Sequence, residues 1–117
     1  MVLTYLNVSI GNPTNGHKLM TRRLLVDSGA TYSVIPAKDL KKLGVQPDSK
    51  QQFTLANGQI ITKPIGEARF IWKGHARTAP VVFGEDDVYL LGVTTLEAMG
   101  LVLDPLNRKL LNLPMLM

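Results

Sequence analysis

The segment Leu24-Leu25-Val26-Asp27-Ser28-Gly29-Ala30 sets a carboxylic acid at the end of an apolar run and follows it at once with a hydroxyl and a glycine. A lone carboxylate next to a segment that should be buried is costly unless it is hydrogen-bonded, paired or protonated. Ser28 supplies a hydroxyl, and Gly29 lets the backbone bend closely and turn N–H groups toward the acid, so such a loop is able to hold Asp27 rigidly. The tripeptide alone reads more readily as a β-turn, because Asp, Ser and Gly each favour turns for local reasons. Other chemistries are closed off. The chain has no cysteine, hence no disulfide, thiol nucleophile or thiolate metal ligand, and His17 and His75 stand too far apart in sequence for a helical metal pair. No metal or other cofactor is expected.

The elements that must position this loop are short β-like runs separated by turn residues, which predicts an all-β protein with one or two small helices. A first strand ending at Ile10 meets the turn cluster Gly11-Asn12-Pro13-Thr14-Asn15-Gly16, and the run from Leu19 to Val26 returns from it. Tyr32-Ser33-Val34-Ile35 is extended. Pro36 suits the start of a helix over residues 37–43, with Gly44 as the left-handed residue after it. Residues 51–62 form a projecting hairpin around Asn57-Gly58, a strong hairpin signal. Residues 66–72 and 76–83 form another, turning at Lys73-Gly74, with Ala68, Phe70 and Trp72 on one face and His75 a solvent-facing turn residue. The buried strand Val88-Tyr89-Leu90-Leu91-Gly92 leads into Thr94-x-x-Glu97, which reads as a capping box on a second helix that carries Leu96 and Met99 on one face and ends at Gly100. Residues 101–113 read as two strands about an Asp104-Pro105-Leu106-Asn107 turn, with Arg108 available to pair with Asp104.

At 117 residues the chain is one domain over residues 1–117, and a chain this short buries only about two-thirds of its unfolded surface. A deep enclosed site therefore invites a second copy. Thirteen basic and nine acidic residues give a mild net charge of +4, and the basic residues occur as pairs without stacking aromatics, which argues against nucleic-acid binding. No apolar run approaches the roughly 20 residues that span a bilayer, and no signal sequence is evident, so a cytoplasmic protein with no membrane partner is expected. The C-terminal run from Leu110 to Met117 is apolar and should be buried, either in a dimer sheet through residues 110–113 or as an edge strand packed within its own subunit.

Three motifs occurring in order make the sequence resemble the retropepsin-like aspartic proteases, single-domain relatives of the retroviral proteases. They are Leu25-Val26-Asp27-Ser28-Gly29-Ala30-Thr31 followed by Val34-Ile35-Pro36, the hairpin Leu55-Ala56-Asn57-Gly58-Gln59-Ile60, and Leu90-Leu91-Gly92 before a helix. The resemblance implies a closed acid-protease barrel with a flap hairpin. It implies that Asp27 is catalytic, that Ser28, Gly29 and Ala30 support it, and that Ala56, Asn57, Gly58, Gln59 and Ile60 form the flap over an extended peptide substrate. Val34, Ile35, Ile60, Ile61 and Val82 become candidate pocket walls by their closeness to the motifs, although any one apolar residue is more often core. A single Asp-Ser-Gly copy implies a homodimer that brings one Asp27 from each subunit to a shared water. The alternative is a catalytically silent dimerisation or peptide-binding module that keeps the fold.

Overall fold

Strands whose side chains alternate between core and solvent account for most of the chain. The structure, a computed structural model, describes residues 3–15, 18–104 and 106–113. Strands β1 (Tyr5–Gly11) and β2 (Leu19–Val26) pair antiparallel, with Tyr5 opposite Leu25 and Gly11 opposite Leu19. Their period of two drives Val8, Ile10, Leu24 and Val26 into the core and leaves Tyr5, Thr21 and Arg23 outside. Gly16 and His17, in the connection, lie outside the described residues.

Next come β3 (Ser33–Pro36), helix α1 (Ala37–Lys42), β4 (Ser49–Thr54), β5 (Ile60–Trp72), β6 (His75–Gly84), β7 (Leu90–Leu91) and helix α2 (Val93–Ala98). The main sheet runs β1-β2-β7-β3-β6-β5-β4, and β1 pairs again with β5 through Ser9 opposite Ile71, so the ladder returns from β5 to β1 with β4 beyond it at the edge. β2 with β7 and β3 with β6 are parallel; β7 and β3 meet antiparallel at Leu90 and Val34. Phe70, Ile10, Leu24, Ile35 and Leu91 are fully buried among these strands.

The structure alters several sequence expectations. Residues 60–72 form one continuous strand instead of two arms broken near Pro64. Pro64 lies opposite Lys50 of the edge strand β4, whereas pairing with β6 begins at Ile65, so the missing proline N–H costs no bond to β6. Helix α1 follows Pro36, and Gly44 adopts the expected left-handed conformation at φ +76°. Helix α2 begins two residues early, with Gly92 at its N-cap and no side-chain cap, so the Thr94–Glu97 capping box is not formed. The orphan donors of its first turn are satisfied otherwise: the N–H groups of Val93 and Thr94 donate to the carbonyls of Ala30 and Thr31 at 2.9 and 3.0 Å. His75 is half-buried, not solvent-facing: its Nδ1 lies 2.9 Å from the Met99 carbonyl oxygen and its ring stacks on Trp72.

Strands β8 (Leu101–Asp104) and β9 (Lys109–Asn112) form a separate antiparallel pair, as expected, extended by the Leu113 N–H donating to the Gly100 carbonyl and joined to the rest by Leu101 in the core and by Leu103 and Leu110 packed against it. Asp104 accepts from the Leu106 and Asn107 N–H groups and from the Asn107 side chain, which holds its carboxyl below the usual range. That leaves no Arg108 ion pair to Asp104 among the described residues. The apolar tail at 114–117, expected to be buried, lies outside the described residues, as does Pro105. No helix among the described residues is long and apolar enough to cross a membrane.

Candidate active site

Asp27 stands one residue beyond the end of β2, half-exposed. Its N–H donates to the Leu91 carbonyl at 3.0 Å, extending the parallel β2–β7 ladder to the acid. Its carbonyl accepts from Ala30 N–H at 3.1 Å, and its Oδ1 accepts from Gly29 N–H at 2.9 Å. Asp27-Ser28-Gly29 is thus a turn, and the turn is what aims a backbone N–H at the carboxylate; the two sequence readings describe one geometry. A Cβ on Gly29 would sit 3.3 Å from Asp27 Oδ1, tight enough to push the acid aside. Ser28 is exposed, and its hydroxyl has no partner among the described residues of the single chain.

The loop is braced from behind by β7 and α2. A Cβ on Gly92 would fall 2.5 Å from the Tyr32 carbonyl carbon and 2.8 Å from Ser33 N, so only glycine lets the β7 terminus pass this close. The Gly92 N–H donates to Ser33 Oγ at 2.9 Å, and Ser33 Oγ lies 2.6 Å from Thr95 Oγ1, with all three residues buried. Ser33 and Thr95 were not singled out from the sequence. A serine in an extended run and a threonine in a helix look like ordinary surface positions until the chain crossing buries them.

Beside the loop lies a cleft of about 440 Å³. It is lined by Gly29, Ala30, Thr31 and Tyr32 of the Asp27 loop, by Phe53, Leu55 and Ile61 of the β4–β5 hairpin, and by Val82, Glu85 and Val88 of β6 and the loop after it. Tyr32 meets Phe53 edge-on at 6.3 Å between ring centres, joining the loop to the β4–β5 hairpin. Val34, Ile61 and Val82 line the cleft, but Ile35 does not. Alternation along β3 sends Ile35 into the core with no exposure, so it is removed from the pocket candidates.

A family model described as aspartyl protease matches residues 7–95, from within β1 to the first half of α2 and including the Asp27 loop. The chain belongs to the aspartyl protease family. A comparison with curated proteins returns no match.

In this aspartyl protease domain the β4–β5 hairpin ends in a five-residue connection, residues 55–59, with Thr54 opposite Ile60. Gly58 alone is left-handed there, at φ +85°; Asn57 instead accepts the Gln59 N–H on its side chain, and Leu55 exchanges bonds with Gly58 and Gln59. Ala56, Asn57, Gly58, Gln59 and Ile60 are all exposed at this tip, and Ile60 is 63% exposed and does not reach the cleft of its own chain. A second acid, Glu85, does reach it, but a 2.6 Å ion pair to Lys63 engages that group. No three acidic or histidine side chains among the described residues converge as a metal site would require.

Proposed function

We propose that the chain is an aspartic endopeptidase that acts as a homodimer, with one Asp27 from each subunit activating a shared water. The observation that carries this reading is the oriented Asp27 itself: one half-exposed carboxylate, held by the N–H of Gly29, which in turn lines the largely apolar cleft that Asp27 itself does not line, in a chain of this family. The nearest other acid at the cleft, Glu85, is neutralised by Lys63, so the second carboxylate must come from a second copy. The free Ser28 hydroxyl supports the same conclusion, since a partner loop would offer it the hydrogen bond its own chain does not. In this reading the returning strand ladder is the closed retropepsin-like barrel and the β4–β5 hairpin is its flap.

Two carboxylates a few ångströms apart do not both ionise cheaply, so the pair shares a proton, the pattern for which aspartic proteases are the reference case. The ionised member takes a proton from water while the protonated member polarises the scissile carbonyl. Water adds to give a gem-diol, and the roles exchange as the amine leaves with a proton. An extended peptide lies between the loop and the hairpin, adding its backbone as a strand. The test is cleavage of a chemically unfolded protein from about pH 4 to 7. Cleavage that is blocked by pepstatin and lost in Asp27→Asn supports the proposal, and equal cleavage by a verified Asp27→Asn protein overturns it. A folded, dimeric protein that cleaves nothing would instead be the silent binding module.

A further inference from the structure

Among the residues that line the largely apolar cleft, the charged ones are Lys63 of β5 and Glu85 of the loop after β6, and they form an ion pair of 2.6 Å. Lys63 belongs to β5, the strand that begins at the hairpin tip, and Glu85 to the loop after β6, so the pair joins the hairpin to that loop. The loop is also tied from outside, by Lys38 of α1 at 4.0 Å from Asp86, and it carries Asp87 at a left-handed φ of 65°. A guest side chain entering the cleft therefore meets largely apolar walls and two opposite charges already paired with each other.

We infer that Lys63 and Glu85 set the substrate preference of this cleft: paired, they make it select uncharged apolar side chains and reject both acidic and basic ones. This rests on the peptidase reading above. A charged guest would leave water for an apolar pocket, which is costly unless it finds a counter-charge, and each counter-charge present is already engaged. The Lys63 side chain, 29% exposed, lines the cleft, and its ammonium becomes available to a guest carboxylate once Glu85, whose own side chain is 78% exposed, is neutralised. Conversely, removing Lys63 leaves the Glu85 carboxylate to attract a guest cation. Lys63 also holds the Glu85 carboxyl below the usual carboxylate range, so the pair persists under the mildly acidic conditions in which an aspartic dyad works.

The test is cleavage of a mixed octapeptide library, one position fixed in turn as Leu, Phe, Glu or Lys, by the wild-type protein and by Glu85→Gln, Lys63→Met and the double variant. The wild type is expected to favour Leu and Phe. Glu85→Gln should raise relative cleavage of Glu peptides, and Lys63→Met that of Lys peptides, each by about three- to fivefold, the size of a partly exposed charge interaction. The double variant should gain neither. Unchanged profiles, or a uniform loss across all four residues in both single variants, would overturn the inference, the latter by showing that the pair merely ties the loop. If the wild type cleaves no better than Asp27→Asn, the peptidase reading fails. Equilibrium binding of the same peptides to the same four proteins then decides this inference separately, with the same pattern supporting it and no charge-dependent change overturning it.

Discussion

Gly92 is the position where this site tolerates least change. Its backbone dihedrals are ordinary, so the constraint is space: the Tyr32 carbonyl occupies the volume a methyl group would need. Gly92→Ala is expected to destabilise the fold by about 1–3 kcal/mol, read as a lower urea midpoint with unchanged slope. Ser33→Ala should cost a similar amount, about 1–3 kcal/mol, because it strands both the Gly92 N–H and the buried Thr95 hydroxyl. Ser33→Thr would not restore stability as well as the wild type, since residue 33 has no exposure into which a methyl group fits. Asp27 and Gly29 were legible in the sequence because their types announce a turn with an acid in it. Ser33 and Thr95 were not, because their value arises only when β7 and α2 are laid across β3, a contact between positions 62 apart in sequence.

Among the elements, α1 is fastened by its buried acid. Asp39, 2% exposed, accepts from Arg22 Nε of β2 at 3.3 Å and from the Tyr89 hydroxyl at 2.5 Å, so one carboxylate joins α1 to the strand that ends at Asp27 and to the approach to β7. Tyr89→Phe should destabilise the protein by about 1.5 kcal/mol, the value of a hydrogen bond to a charged acceptor. Burial first, then the bond to Asp39, raises the Tyr89 phenol above its ordinary value. A phenol harder to ionise in the folded than in the unfolded chain contributes its full stabilisation below about pH 10 and loses it as pH rises through the folded value. The stability gap between wild type and Tyr89→Phe, followed by denaturation at increasing pH, is therefore expected to narrow above pH 10; a constant gap would contradict the assignment. Element types and order were readable from turn residues and alternation. What escaped was pairing: Pro64 looked like a boundary because its tolerance depends on which neighbour strand it faces, and Thr94 looked like a cap because the carbonyls of Ala30 and Thr31 that replace it come from another part of the chain.

At the scale of the whole molecule, the proposed two-Asp mechanism requires a second copy of the chain. The β8–β9 pair stands apart from the main sheet, with Val102 opposite Leu111, 41% and 46% exposed, and Leu106 at 90% beyond them. An apolar face of this kind on a small domain fits a contact between copies, one of the two roles expected for residues 110–113. Leu111→Asp should weaken dimerisation about tenfold or more in sedimentation equilibrium, from the loss of one buried leucine, while leaving the monomer folded by circular dichroism. The proposed dimer is a deduction from a short chain with one Asp-Ser-Gly, because nothing in a single sequence records the surface of a partner. The requirement for two Asp27 carboxylates is tested most directly by mixing wild-type and Asp27→Asn subunits at fixed total concentration, allowing them to exchange, and measuring the cleavage rate. If both acids act together, the rate follows the square of the wild-type fraction, falling to about one quarter at an equal mixture. A linear decline to about one half would mean that each subunit works alone, and the shared-water account would be wrong.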